Sequence, residues 1–406
     1  MFTALRRPDV LVTTLAAGGI LLVTMGARQS LGLFVDPLSA STGLGIAAIS
    51  LALAVGQFSW GAIQPVAGAM ADRYGTRPVL VAGIGLLALG ISLTPFMSSE
   101  LGLIFSLGLL SAIGSGAGSF SILVGATAQH TPIEARGAAS GIIHAGGSAG
   151  QFIFAPVLQF LIQTVGWKNA LWSLAVMILA ALPLAGKMSG PPGTAPVRPV
   201  TAGHGSLAQT LRQALTTPSY LLLNAGFFTC GFHIAFLVTH LPGEVSLCGL
   251  PPAVASWSLS IIGLTNILGS LFAGWCIGRF ASKNILVVLY LTRAVLIGVY
   301  LVLPRTEAVY YLFAAGLGFT WLATVPPTAG VTAKLFGVRY LSTLFGLTLL
   351  SHQVGGFLGA YLGGLALSRF GDYGWMWYAD MTLAALAALV NIPIRETPAA
   401  GVPVTP

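Results

Sequence analysis

Long apolar runs alternate with short polar segments along nearly the whole chain. Each run approaches the ~20 residues that an α-helix needs to cross the hydrocarbon core of a bilayer. The alternation predicts twelve membrane-spanning helices and therefore an all-α polytopic membrane protein. The predicted spans are residues 10–35, 44–70, 78–98, 102–128, 137–163, 168–187, 218–241, 252–277, 284–303, 307–332, 340–367 and 374–393.

The composition excludes a water-soluble fold. Hydrophobic residues make up 55% of the 406 residues, charged residues only 7%, and the mean hydropathy is +0.88. So few charges cannot cover a soluble surface, so the lipid bilayer is the predicted partner of most of it. Basic residues occur one or two per loop rather than in a patch, which argues against a nucleic-acid partner.

The distribution of positive charge predicts the orientation in the membrane. With the N-terminus inside, 13 of the 18 Lys and Arg residues fall on the cytoplasmic side. The opposite loops hold only Lys168, Arg305 and Arg369. Because positive residues favour the cytoplasmic side, both termini are predicted to be cytoplasmic. We expect an integral protein of a bacterial inner membrane.

A charged motif lies between the second and third predicted helices and consists of Gly68, Asp72, Arg73, Gly75 and Arg77. A degraded copy follows 206 residues later, in which Arg279 and Lys283 match the two arginines and Gly278 replaces the acid. One copy alone is compatible with an ordinary polar turn. A copy offset by about half the chain predicts two halves of one design.

The segment between the two halves has a different composition. Residues 188–217 are rich in Pro, Gly, Thr and Ser, which predicts a linker with a short amphipathic helix at residues 206–215. The predicted domains are an N-terminal six-helix bundle at residues 1–187, a cytoplasmic linker at residues 188–217 and a C-terminal six-helix bundle at residues 218–406.

The motif and its half-chain copy resemble the major facilitator superfamily of transporters over residues 9–395. The resemblance implies two pseudo-symmetric six-helix bundles that rock between inward-open and outward-open states. Asp72 lies in a predicted cytoplasmic loop, far from the membrane midplane. We therefore expect the motif to support conformational cycling rather than substrate contact.

Two arginines stand inside predicted spans. A charge at the membrane centre costs about 2.5–3.5 kcal/mol on insertion scales, so it usually has a partner or a ligand. Arg293 has no acid within two turns and shares a helix face with Tyr290, and we predict that it is the principal contact of an anionic substrate. Arg28 lies nearer the outer end, eight residues before Asp36. The alternative is a structural arginine bonded to carbonyl groups or to another helix.

Histidines inside the spans form a second set of candidates, because neutral imidazole can bind an anion and titrates near pH 6.5. Each histidine alone is more often a packed, hydrogen-bonded residue, and a hydrogen bond within the C-terminal bundle is the favoured interpretation of Asp380. The candidates for proton coupling are His233, His240, His352 and Asp380. The candidates for substrate contact beside the two arginines and Tyr290 are His233, His144, Gln151, Asn266, Ser270, Trp321, His352 and Gln353.

Two prolines affect the tenth span. Pro326 and Pro327 are predicted to break it and to free carbonyl groups toward a cavity. Trp321 and Thr324 lie just before them, one helical turn apart.

The first and fifth spans resemble the monocarboxylate and oxalate/formate branch of the superfamily. The similar segments are residues 26–38 in span 1, and 136–141 with 144–150 in span 5. That branch carries small organic anions, often with protons. Its usual span 8 arginine aligns here with Ser270, so the resemblance requires Arg293 or Arg28 to bind the anion.

The predicted function is alternating-access transport of a small, monocarboxylate-like organic anion, coupled to protons. One alternative is efflux of uncharged or cationic drug-like compounds, although the scarcity of buried acids disfavours a cationic drug. Another is a transport-dead sensor or scaffold. An enzyme is disfavoured, because no residues stand out with the spacing of a nucleophile and its base. A metal site is not predicted either, because Cys230, Cys248 and Cys276 do not have the spacing of metal ligands. We expect a monomer with neither cofactor nor metal.

Overall fold

The computed structural model describes residues 7–188, 207–277, 279–337 and 341–398, and these residues contain helices and no β-strand. Nine segments within these ranges are long and apolar enough to cross a membrane. One of them, Ala139–Met188, contains two passes, and two further helices near the C-terminus bring the total to twelve. The predicted all-α polytopic fold is confirmed.

The first half contains six passes, which we number α1 to α6. Leu31–Phe34 and Val35–Thr42 extend α1, and the helical segment Ile133–Leu179 forms both α5 and α6 because it is interrupted at Gly166. The bounds are α1 Pro8–Gln29, α2 Ile46–Tyr74, α3 Thr76–Leu93, α4 from Glu100–Leu103 through Ile104–Ser111 and Ala112–Ala117 to Phe120–His130, α5 residues 133–165 and α6 residues 167–179.

The second half contains the other six passes, and α10 is in two parts. The predicted end of the seventh span before Pro242 is wrong, because α7 continues through this proline to Leu247. The bounds are α7 Pro218–Leu247, α8 Pro252–Ile277, α9 Ser282–Val302, α10 Glu307–Thr320 and Val325–Phe336, α11 Leu341–Phe370 and α12 Gly374–Asn391.

Residue Gly166 separates α5 from α6. A continuous helix of 47 residues would be about 70 Å long at 1.5 Å per residue, more than twice the thickness of the hydrocarbon core. Gly166 has φ = 81° and ψ = 158°, which no residue in a continuous helix adopts and which glycine tolerates because it has no Cβ. The chain therefore crosses the membrane twice within this segment.

The charged motif is largely helical, which corrects the prediction of a loop. Helix α2 continues through Asp72 and Arg73 to Tyr74, and α3 begins at Thr76. Only Gly75 lies outside a helix, with φ = 91°. Arg73 and Arg77 are exposed, whereas the side chain of Asp72 lies outside the described part of the chain.

The short helix predicted in the linker is present as Leu207–Thr216. Its Ala214 is fully buried and Leu215 is exposed. Residues 189–206, the rest of the central linker, lie outside the described residues, as do Gly278 and Arg339.

Two pairs of antiparallel helices join the two halves, α2 with α11 and α5 with α8, and α1 also meets α7, where a Cβ on Gly32 would lie 2.0 Å from the carbonyl oxygen of Val238. Glycine permits close approach in both pairs: a Cβ on Gly364 would lie 2.3 Å from Ser50 Oγ, and one on Gly61 would lie 2.2 Å from Gln353 Cγ. A Cβ on Gly263 of α8 would lie 2.8 Å from the carbonyl oxygen of Ser148 on α5. These contacts lie from mid-membrane toward the side opposite the first residues of α1 and the last residues of α12.

Toward the other side, which we call the terminal side, the same helices separate. A Cβ added at four described glycines in this part of the helices, one on each helix, would have no atom within 4 Å. These glycines are Gly68, Gly141, Gly274 and Gly346. The structure is therefore closed on the opposite side and open on the terminal side.

Candidate functional site

Arg28 points from α1 toward α2 in the middle of the first half. Its Nη2 donates a hydrogen bond to Gln57 Oε1, and its guanidinium carbon lies 4.3 Å from the ring centroid of Trp60. A cation above an indole ring is attracted by the electrons of the ring face. Among the described residues, no carboxylate lies within 4 Å of Arg28, so Asp36 does not pair with it as an ion. The neutral amide and the indole leave its positive charge uncompensated.

A narrow cavity borders Arg28 on the closed side. It lies among α1 to α4 and reaches Val238 and Thr239 of α7. The volume that the centre of a water molecule can reach in it is about 30 Å³, which is room for about one or two waters. This side of Arg28 is therefore nearly closed in this conformation.

Helix α11 brings His352 and Gln353 to the same level. Gln353 is buried against Gly61 of α2, and its Nε2 lies 3.4 Å from His352 Nδ1. His352 is half-buried, and the positive charges of both Arg28 and Arg293 act on its ring. We name Arg28, Gln57, Trp60, His352 and Gln353 the central cluster.

A second group of polar side chains lies inside the C-terminal half. His233 Nδ1 of α7 and Asp380 Oδ2 of α12 are 2.5 Å apart, and both side chains are fully buried. His233 Nε2 and Asp380 Oδ1 have no hydrogen-bond partner in the described part of the chain. The ring of Trp321 stands edge-on to His233, with centroids 5.7 Å apart. The favoured interpretation of Asp380, a hydrogen bond within this bundle, agrees with this pair.

Arg293 is fully buried beside this pair and donates hydrogen bonds to main-chain groups at the break in α10. Pro326 and Pro327 have no N–H group, so the helix cannot continue, and it stops at Thr320 and resumes at Val325. Arg293 Nη2 donates to the carbonyl oxygens of Thr320 at 2.7 Å and Trp321 at 3.2 Å.

The rest of the Arg293 guanidinium is unpaired. Its Nε and Nη1 have no partner among the described residues, although its carbon lies 5.6 Å from the ring centroid of Tyr290. Arg293 therefore makes the carbonyl contacts of a structural arginine and has two further buried donor atoms, which such a role does not use. We name His233, Asp380, Arg293, Tyr290 and Trp321 the C-terminal cluster.

The contact between α5 and α8 contains a third group. Asn266 Nδ2 donates to Ser148 Oγ at 2.9 Å, and Asn266 Oδ1 accepts from the main-chain N–H of Leu322 at 3.0 Å and from Ser270 Oγ at 3.4 Å. Gln151 is buried near this contact, and neither of its side-chain polar atoms has a partner in the described ranges. The group joins the two halves to the α10 break.

Two predicted histidines lie outside these clusters. The His144 ring packs on Phe120, with centroids 3.8 Å apart. His240 Nε2 lies 2.7 Å from the carbonyl oxygen of Ala360, and its Nδ1 lies 3.4 Å from Tyr373 Oη. Because a carbonyl only accepts, Nε2 carries the proton and Nδ1 accepts from the tyrosine. His240 is thus satisfied as a neutral ring near the closed side.

Gln57 and Trp60 are site residues that sequence reasoning missed. Both lie on α2, one turn apart and next to Gly61, in a span whose apolar composition directed attention to the charged motif at its end. A sequence signal for them was present. A polar and an aromatic residue are spaced one turn apart on the face of α2 where Gly61 allows α11 to come close.

Known proteins share the sequence pattern and the fold. The sequence profile of the Major Facilitator Superfamily matches residues 17–360. Monocarboxylate transporter 13 of Bos taurus is 30% identical over 354 residues, which cover 85% of this chain and 79% of that protein. The uncharacterized MFS-type transporter YcxA of Bacillus subtilis is 22% identical over 377 residues, 90% of each chain. The D-xylose-proton symporter has a similar structure, with a TM-score of 0.72 over 97% of both chains at 16% identity.

Proposed function

The chain belongs to the Major Facilitator Superfamily and is a membrane transporter rather than an enzyme, and from this premise we propose that it carries a small, monocarboxylate-like organic anion by alternating access, coupled to protons. The similarity to Monocarboxylate transporter 13 of Bos taurus supports the substrate class, because it extends over both halves of the chain.

The observation that carries the proposal is the pair of uncompensated arginines, one in each half. Arg28 is paired with a neutral amide, and Arg293 with two neutral carbonyl groups. Burying a cation without a counter-charge is unfavourable, and a carboxylate that bonds to both arginines would supply that charge. The charges of both arginines act on His352, which would donate a third hydrogen bond.

Proton coupling is assigned in this proposal to the C-terminal cluster. His233 and Asp380 share one close contact and together can hold a proton at Nδ1 or Oδ2. Arg293 lies near enough for its charge to act on His233. An anion bound at Arg293 would offset that charge and favour a proton on the pair, so anion and proton would bind together.

The remaining assignments follow the two-halves design. Residues 1–187 and 218–406 form the two rocking bundles, and residues 188–217 link them on the cytoplasmic side. The terminal side is the cytoplasmic side of a bacterial inner membrane, and the protein works as a monomer. The residues of the charged motif, Gly68, Asp72, Arg73, Gly75 and Arg77, support the conformational cycle.

Uptake into proteoliposomes tests the proposal. We expect purified protein to accumulate radiolabelled pyruvate or another short monocarboxylate when the outside is more acidic than the inside, and Arg28→Gln and Arg293→Gln to abolish accumulation. Arg369→Gln is the matched control, because Arg369 is exposed at the end of α11. Carriage of an uncharged compound with no response to carboxylates would reject the proposal.

A further inference from the structure

Asn266 connects the interface of the two halves with the α10 break. Its amide nitrogen donates across the interface to Ser148 of α5, and its amide oxygen accepts from the N–H of Leu322 inside the break. We propose that Asn266 is a positioning residue that makes the placement of Arg293, and hence the anion affinity of the site, depend on whether α5 and α8 are in contact. The anion part of this inference rests on the proposed function.

The chemistry requires both ends of one amide group. Leu322 lies where α10 is interrupted, so its N–H cannot bond within a continuous helix and needs an outside acceptor. Ser148 offers a hydroxyl oxygen that accepts from the amide nitrogen. A carboxylate at position 266 would lack the donor, and an apolar side chain would lack both groups.

The break in α10 exposes the two carbonyl groups that hold Arg293 in place. The carbonyl oxygens of Thr320 and Trp321 precede Leu322 directly and are the two acceptors of Arg293 Nη2. When α5 and α8 separate at this level, Ser148 withdraws and the amide of Asn266 loses one of its two anchors. The Leu322 N–H is then held less firmly, and the two carbonyl groups that orient Arg293 are free to shift.

The α5–α8 interface itself is the two-state element that this coupling needs. Gly263, one turn from Asn266, allows the two backbones to approach, and Asn266 is only 2% exposed in this conformation. The same helices are separate at Gly141 and Gly274, on the open terminal side. The bond to Ser148 therefore exists where the halves are closed and is lost wherever they part at this level.

The interface also supplies a matched control. Ser260 Oγ of α8 donates to the carbonyl oxygen of Phe152 on α5 at 2.6 Å, less than two turns from Asn266. This bond joins the same two helices, yet neither Ser260 nor Phe152 contacts the α10 break by a hydrogen bond. Ser260→Ala should loosen the interface without a direct effect on Leu322.

Hydrogen–deuterium exchange tests the structural part without any substrate. In purified protein in nanodiscs, Asn266→Ala should speed exchange of the Leu322 amide by about 3- to 10-fold, the effect of losing its hydrogen bond. Ser148→Ala should speed the same exchange by a smaller factor, because it removes only one anchor of Asn266. Ser148→Thr, which keeps the hydroxyl, and Ser260→Ala should exchange there as the unmodified protein does. Equal exchange in Ser148→Ala and Ser260→Ala would overturn the coupling.

Pyruvate uptake tests the link to Arg293. Ser148→Ala and Asn266→Ala should raise KM by about 3- to 10-fold with little change in the maximal rate, because the anion contact is displaced rather than removed. Ser260→Ala should leave KM unchanged. An unchanged KM in variants with faster Leu322 exchange would overturn the link to Arg293. Failure of the unmodified protein to carry any carboxylate would instead reject the proposed function. In that case the exchange result alone would decide whether Asn266 couples the interface to the α10 break.

Discussion

Asp380 Oδ2 lies 2.5 Å from His233 Nδ1, and both side chains are completely buried. This contact commits the acid of α12 to a histidine of α7 and leaves Arg293, which lies nearby, without a carboxylate within 4 Å among the described residues. The C-terminal half thus contains a buried histidine–carboxyl pair beside an arginine that bonds to neutral carbonyl groups. Under the proposed function, the pair would hold the proton and Arg293 would bind the anion.

Asp380→Asn should uncouple transport from protons. The amide keeps a hydrogen bond to His233 but cannot be ionised, so the pair loses one of its two titrating groups. We expect pyruvate exchange at equal pH to persist, while acceleration by an acidic exterior is lost. The measurement is uptake into proteoliposomes with and without a pH gradient.

His240→Gln is the control for that experiment, because His240 is hydrogen-bonded on both ring nitrogens away from the C-terminal cluster. It should keep the response to the gradient, and His233→Gln should lose it. A full gradient response in Asp380→Asn and His233→Gln together would reject this pair as the proton site.

Arg293→Ala should weaken both binding and the apo protein. A charge-assisted hydrogen bond contributes roughly 1.5–3 kcal/mol, so pyruvate affinity should fall by about one to two decades. The carbonyl groups of Thr320 and Trp321 also lose their donor, so the melting temperature without ligand should fall. Arg293→Lys retains the charge without the planar fork and should rescue binding only in part.

The two effects are separated by measuring affinity and apo melting temperature on the same sample. A lower melting temperature with unchanged pyruvate affinity would make Arg293 a purely structural residue. The sequence left these two roles as alternatives; the α10 contacts agree with the structural role, and the anion-binding role stays a prediction.

Gly263→Val should shift the protein away from the conformation described here. A Cβ at this position would lie 2.8 Å from Ser148 carbonyl oxygen and 2.8 Å from Phe152 N, so a side chain would force α5 and α8 apart on the closed side. Cysteines introduced near the terminal side should then react more slowly with a membrane-impermeant maleimide. Gly274→Val is the control, because it lies on the same helix and no atom is within 4 Å of the added Cβ. The introduced cysteines should react in this variant as fast as in the parent protein. Equal labelling rates in the Gly263→Val and Gly274→Val variants would contradict the assigned closed side.

Glu396→Gln should destabilise the C-terminal half. Glu396 Oε2 pairs with Lys334 Nζ at 2.5 Å, and its Oε1 accepts from Lys283 N at the start of α9 at 2.5 Å. Removing the charge weakens both an ion pair and a helix cap, for which we expect a loss of about 1–2 kcal/mol. The measurement is the apo melting temperature in detergent.

Asp9→Asn provides the comparison for Glu396→Gln. Asp9 and Arg7 are 65% and 62% exposed and 3.7 Å apart, so solvent screens their attraction and the melting temperature should not change. If the Glu396→Gln variant had the same melting temperature as the Asp9→Asn variant, the contacts of Glu396 would not contribute to stability.

The helices were predictable because their signal is local, whereas the site depended on contacts between distant residues. Each apolar span and the proline break in α10 follow from residues within one segment. The pairing of His233 with Asp380 joins residues 147 positions apart, and the approach of Gln57 to Arg28 depends on how α1 crosses α2. No local pattern encodes either contact. The charged motif was predicted correctly in position but as a loop, because its single helix-breaking residue, Gly75, was not distinguished from Gly68, which α2 accommodates.

Equilibrium binding of a matched pair of ligands tests the central claim, that two uncompensated arginines recognise a carboxylate. Pyruvate and pyruvamide have nearly the same size and shape and differ in the charge of one group. We predict that the purified protein binds pyruvate at least about tenfold more tightly than pyruvamide, as expected for a charge-assisted hydrogen bond, and that this preference disappears in the Arg28→Gln, Arg293→Gln double variant. Equal affinity for the two ligands in the unmodified protein would contradict the account.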